Sequence, residues 1–150
     1  MTEINPVEIL IVEDTPQDLE LTLRALRKAK LTNLIHVARD GAEAIEFIFC
    51  EGQYAKRKIG NVPKVILLDL KLPKIDGLEV LKRIKADART KDIPVVVLTS
   101  SKEQKDVVES YRLGVNSYIV KPVNFEQFVA AVQELGMYWL LFNQPPRVEK

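Results

Sequence analysis

Five short β-rich stretches recur along the chain: VEILIV (7–12), LIHVA (34–38), KVILLD (64–69), PVVVLT (94–99) and NSYIV (116–120). The segments between them carry helical periodicity. A strand followed by a helix returns to pair in parallel with its predecessor, and repeating that unit builds a parallel sheet with helices on both faces. The third and fourth stretches are apolar without alternation, as strands covered on both sides are. The pattern predicts an α/β chain, a doubly wound sheet of five parallel strands with five helices. One such unit uses most of the 150 residues, so a single domain is expected.

Polar residues at capping spacing mark the helix starts. Thr15 precedes Pro16 as N-cap and N1, Asp40 and Glu43 stand three apart, and Asn124 and Gln127 repeat that arrangement. These residues are read as caps rather than as chemistry. Cys50 has no second cysteine to pair with and falls in an apolar helical run, which predicts a small core residue in a reducing compartment. A formal net charge of +1 offers no basic field for nucleic acid. The opening MTEINPVE is unlike a signal peptide, and the longest apolar run, MYWLLF, is too short for a bilayer. A cytoplasmic protein without membrane contact is expected. The connection EGQYAKRKIGNVP (51–63) carries Lys56, Arg57 and Lys58, which read as a solvated run. His36 is the only histidine and reads as structural; without a second histidine or a Cys-x-x-Cys pair, zinc lacks ligands.

Open parallel sheets bind ligands beyond the C-terminal ends of their strands. The first strand ends on Glu13 and Asp14, the third on Asp69, the fourth on Thr99 and the fifth on Lys121. In the doubly wound order 2-1-3-4-5 those strands are neighbours, so three acids, a hydroxyl and an amine meet at one edge. A strand-end Asp is also an ordinary turn cap, so Asp69 by itself decides nothing. The set decides more. Three adjacent carboxylates repel one another and need a cation, and Mg²⁺ takes carboxylate oxygens while keeping waters and phosphate. Glu13, Asp14 and Asp69 sum to −3, which Mg²⁺ and Lys121 balance. An aspartate so placed suits phosphoryl acceptance, with the added charge held by the metal, Lys121 and Thr99.

At these positions the sequence resembles the receiver domain of two-component response regulators, over about residues 7 to 135. The resemblance is carried by Glu13-Asp14, by LLDLKLPKIDG around Asp69, by Thr99 followed by a small residue, and by Tyr118 three places before Lys121-Pro122. It implies a flavodoxin-like fold, Asp69 as phosphoacceptor, Asp14 as a direct Mg²⁺ ligand with Glu13 beside it, and the Lys71 backbone carbonyl as a further ligand. It also implies Thr99 and Tyr118 as a switch pair, a cis Lys121–Pro122 peptide, and a sensor histidine kinase as donor. The protein then acts on no substrate but its own phosphoryl group. The long second connection and the ending LGMYWLLFNQPP further resemble the stand-alone response regulators of cyanobacterial and bacterial phytochromes.

Rival readings lack parts. Haloacid dehalogenase-type phosphatases place a second Asp two residues after the nucleophile, where this chain has Lys71. Neither G-x-G-x-x-G nor G-x-x-x-x-G-K-[ST] occurs. Lys71 and Ser101, two places after Asp69 and Thr99, are expected to overhang a phosphoryl group and, being neither carboxylate nor amide, to prolong its life. The receiver core is expected over about 7–135, a helical extension over about 136–142 and an unpacked tail at 143–150. In the extension Tyr138, Trp139, Leu141 and Phe142 are apolar on several sides of one helix, which predicts a homodimer through it. Output is expected through a downstream protein or a phosphorelay partner, by way of the helix 4, strand 5 and helix 5 surface.

Overall fold

The computed structural model of the chain describes residues 9–28, 34–57, 62–122, 124, 126, 127, 129 and 130. Its strands are β1 (Ile9–Val12), β2 (Ile35–Ala38), β3 (Val65–Leu68), β4 (Val95–Thr99) and β5 (Ser117–Val120), and its helices α1 (Pro16–Lys28), α2 (Gly41–Phe49), α3 (Gly77–Ala86) and α4 (Gln104–Leu113). The strands form one sheet of order β2-β1-β3-β4-β5, every pair parallel. Glu126, Gln127, Val129 and Ala130 are helical as well, where the fifth helix is expected. The predicted fold class and strand order are those observed.

β1, β3 and β4 are buried at every position. Side chains alternate between faces, so each strand feeds two cores. Leu10, Val12, Ile66, Leu68, Val95 and Val97 pack with the inner faces of α2 and α3, while Ile9, Ile11, Val65, Leu67, Val96 and Leu98 pack with Leu19 and Leu26 of α1. Three central strands without a polar face are what a sheet covered on both sides requires.

The caps largely follow the expected chemistry. The Asp40 carboxylate accepts from the Glu43 N–H at 2.7 Å, and the Asn124 amide oxygen Oδ1 accepts from the Gln127 N–H at 3.0 Å. Glu43 reaches back to the Arg39 N–H (3.0 Å), one residue earlier than a capping box requires. Two expectations change. Cys50 is not core: it caps α2 half-exposed, in the left-handed region at φ 57°, because the helix ends one residue before it. Arg57 is not simply solvated: its guanidinium lies 3.8 Å over the Phe47 ring and donates to the Phe47 carbonyl, folding the long connection back on α2. Lys58 lies outside the described residues. Among the described residues no helix is long and apolar enough to cross a membrane.

Candidate functional site

Strand register assembles the site. Val12 pairs with Leu68, and the Asp69 N–H donates to the Val12 carbonyl at 3.1 Å, so Glu13 and Asp69 leave the sheet side by side. Thr99 pairs with Val120, and the Lys121 N–H donates to the Thr99 carbonyl at 2.9 Å. Glu13, Asp69 and Thr99 are all buried. The Lys121–Pro122 peptide is cis, as the resemblance implied. The loop after Asp69 closes tightly: the Gly77 N–H donates to the Leu70 carbonyl at 2.8 Å, and a Cβ on Gly77 would stand 2.3 Å from the Asp69 carbonyl oxygen.

Lys121 is the electrostatic centre. Its buried ammonium donates to Asp69 Oδ2 at 2.8 Å and to Asp18 Oδ2 at 2.9 Å, and stands 2.6 Å from Glu13 Oε1. Burial alone would lower this ammonium, but the hydrogen bonds it donates to Asp69, Glu13 and Asp18 outweigh it and hold the group above its ordinary range. Glu13 is pushed up to about 7, chiefly by burial and further by the Asp69 charge, against the Lys121 hydrogen bond. One ammonium does not balance this acid cluster. Glu13, Asp14 and Asp69 each offer a carboxylate oxygen, all within 4.8 Å of one another. Hard oxygen donors with excess negative charge fit a divalent cation of the Mg²⁺ or Mn²⁺ type. The Lys71 N–H donates to Asp69 Oδ1 at 3.2 Å, which brings the backbone of that residue to the same carboxylate.

Beside this cluster runs a second network. The Ser101 N–H donates to Thr99 Oγ1 (3.4 Å), the Tyr118 hydroxyl donates to the Ser101 carbonyl (3.0 Å), and the Ser101 hydroxyl donates to Asp106 Oδ2 (2.5 Å). The same Asp106 oxygen lies 3.5 Å from the Lys71 ammonium. Asp106 sits in the first turn of α4 and is 4% exposed. The Ser101 hydrogen bond holds it below the ordinary carboxylate range despite that burial.

Residues 9–133 match the family model of the response regulator receiver domain. The chain belongs to that family. Among solved structures, the receiver is similar to the bacteriophytochrome response regulator RtBRR, with 56% identity, a TM-score of 0.82 and coverage of 93% of this chain and 84% of that one. The bacteriophytochrome response regulator AtBRR is 54% identical at a TM-score of 0.82, covering 95% of this chain and all of that one (100%). Response regulator Rcp1 of Synechocystis sp. is 41% identical over 139 residues, 92% of either chain. A crystal structure of an Mn²⁺-bound form of Rcp1 is similar at a TM-score of 0.74 and 36% identity, covering 96% of this chain and 100% of that one. This is therefore a receiver of two-component signalling, close to phytochrome response regulators, in a family that works by aspartate phosphorylation.

In the receiver, Glu13, Asp14, Asp69, Thr99 and Lys121 gather at the sheet edge, with Tyr118 tied in through Ser101. Lys71 and Ser101 stand there too, but their side chains are engaged by Asp106. Sequence reasoning did not single out Asp18 or Asp106. Each is an acid in the first turn of a helix, where the dipole favours acids on any surface helix, so neither spacing nor composition sets it apart. Tyr138, Trp139, Leu141 and Phe142 lie outside the described residues. His36 belongs to another cluster: it stacks on Phe47 at 4.0 Å and shares a 3.0 Å hydrogen bond with the Tyr54 hydroxyl.

Proposed function

We propose that Asp69 is the phosphoacceptor, charged by the phosphohistidine of a sensor histidine kinase with Mg²⁺ bound by Glu13, Asp14, Asp69 and the Lys71 backbone carbonyl. The observation that carries this reading is the set of three carboxylates within 4.8 Å at the strand ends, with the Lys121 ammonium on two of them. An Asp69 oxygen bonds to phosphorus while the phosphorus–nitrogen bond breaks, its electron pair returning to the imidazole. Asp69 thereby exchanges one negative charge for roughly two. Lys121 is placed to keep one ammonium on the acceptor throughout, and the Thr99 hydroxyl to donate to a phosphoryl oxygen. Mg²⁺ held by Glu13, Asp14, Asp69 and the Lys71 carbonyl would supply the remaining positive charge.

Tyr118 reads this change. The Thr99 hydroxyl accepts from Ser101, whose carbonyl accepts from Tyr118, so a Thr99 hydroxyl drawn to a phosphoryl group alters the peptide that holds the phenol. The surface of α4, β5 and the helix after them then changes for a downstream protein or phosphorelay partner. The receiver catalyses its own phosphorylation and dephosphorylation alone. Its likeness to bacteriophytochrome response regulators supports a phytochrome kinase as donor in the cytoplasm. The apolar sequence around Tyr138, Trp139, Leu141 and Phe142 supports a homodimer. A receiver core over about 7–135 with an extension at 136–142 and a tail at 143–150 fits that assembly.

Radiolabelled phosphodonor decides the central point. We expect label with Mg²⁺ that is abolished by EDTA and by Asp69→Ala; label surviving either overturns the assignment. Sedimentation of the full chain against a chain ending at Leu135 tests the dimer, which a monomeric full chain at micromolar concentration would exclude.

A further inference from the structure

Two cationic or hydroxylic groups hang beside Asp69 on the loops that flank it, and a single carboxylate takes both. Asp106 Oδ2 accepts from the Ser101 hydroxyl at 2.5 Å and pairs with the Lys71 ammonium at 3.5 Å. The geometry is unequal. Asp106 is fixed, its side chain 6% exposed, whereas that of Lys71 is 60% exposed on a flexible stem. The root of that stem is at the acceptor, since the Lys71 N–H donates to Asp69 Oδ1. The ammonium therefore has two carboxylates to choose between, and Asp69 already holds Lys121 at 2.8 Å.

We propose that Asp106 is a positioning residue for Lys71: it holds the ammonium away from Asp69 and, by competing for it, sets how long a phosphoryl group on Asp69 survives. This rests on the reading of Asp69 as phosphoacceptor. A phosphoryl dianion attracts the ammonium more strongly than the carboxylate it replaces, so phosphorylation shifts Lys71 toward the phosphoryl oxygens and Asp106 pulls it back. Loss of the group is hydrolysis. A water oxygen bonds to phosphorus, the bond to the Asp69 oxygen breaks with its electron pair returning to the carboxylate, and the water protons leave with inorganic phosphate and to solvent. An ammonium standing on the phosphoryl oxygens fills space that water needs and is no base for its proton. Asp106 thus shortens the signal by keeping Lys71 partly elsewhere. The link also runs outward: each transfer of Lys71 removes a countercharge from a buried acid in the first turn of α4, leaving it the Ser101 hydroxyl.

The test is decay of radiolabel from full-length protein charged with a small acyl phosphate and Mg²⁺, in wild type, Asp106→Asn, Lys71→Met and the double variant. Asparagine keeps the acceptor for Ser101 and removes the charge. We expect Asp106→Asn to slow decay about fivefold, roughly 1 kcal/mol in barrier, Lys71→Met to hasten it, and Asp106→Asn to change nothing once Lys71 is Met. Equal slowing in both backgrounds, or none in either, overturns the proposal, because an effect on α4 alone would not need Lys71. Absence of label in every protein overturns the Asp69 reading and this proposal together, whereas label with uncoupled decay overturns this proposal alone. A measurement on wild type guards against a variant that fails to fold. The Lys71 side-chain ¹⁵Nζ resonance should move when trifluoroberyllate, a phosphoryl mimic, is added with Mg²⁺, and an unmoved resonance overturns the competition.

Discussion

Lys121 shows what a single residue carries here. Its ammonium is buried against Glu13, Asp18 and Asp69, two of which are themselves buried, so it compensates charge that water does not reach. Removing one member of such a group leaves the others uncompensated, at a cost of about 3–5 kcal/mol. Lys121→Met should therefore lower metal-free stability by about 3 kcal/mol in denaturant unfolding, with part regained when Mg²⁺ is added. No loss in the presence of chelator would mean that the acids relax apart. The three clustered acids were legible in the sequence because each ends a strand, and strand ends converge by topology. Asp18 was not, since its role depends on α1 lying over the site, which no spacing in the chain records.

At the scale of elements, two glycines decide how the β3–α3 loop closes on the site. At an exposed first helical position, Gly→Ala is commonly stabilising by about 0.4–1 kcal/mol. Here a Cβ on Gly77 would meet the Asp69 carbonyl oxygen at 2.3 Å and Leu70 Cα at 2.5 Å, and one on Gly41 the Ile75 carbonyl oxygen at 1.8 Å. Those contacts are backbone and do not yield. Gly77→Ala should destabilise by about 1–3 kcal/mol and slow labelling of Asp69, because the loop that seats the carboxylate must shift; a variant as stable as wild type would show that the loop gives way freely. The β2–α2 corner makes a second prediction, on acid stability. Burial pushes His36 below its ordinary 6.5, opposed by Glu43 and aided by Arg57. Its folded value lies below the unfolded one, so the unfolded chain binds more protons below pH 6.5. The stability contributed is complete above 6.5 and is lost as pH falls toward the folded value. His36→Gln should flatten that limb of the stability–pH curve, measured as the difference from wild type. Strands were legible to within about a residue or two, because unbroken apolar runs have few alternatives. The left-handed cap at Cys50 was not, since the apolar helical run includes it and it is the backbone of Cys50, at φ 57°, that ends the helix.

Over the whole molecule the charges nearly cancel, to a net +1, yet their placement is uneven: Glu13, Asp14, Asp18 and Asp69 crowd one end of the sheet around one lysine. The same sheet order that buries three strands on both faces brings these acids together, so folding itself builds a repulsive centre. A cation that binds this centre and not the unfolded chain must stabilise the fold by mass action. At a hundredfold excess over its dissociation constant the gain is about 2.7 kcal/mol, which for a domain of this size raises the melting temperature by roughly 5–10 °C. Mg²⁺ should produce that shift in wild type, and Asp14→Asn, which replaces a charged carboxylate with a neutral amide without touching the core, should lose most of it. Lys71→Met should retain it, because the backbone carbonyl remains and the ammonium is occupied by Asp106. Differential scanning calorimetry across a Mg²⁺ titration separates these outcomes. An equal shift in wild type and Asp14→Asn would place the cation elsewhere on the surface and detach it from the strand-end carboxylates.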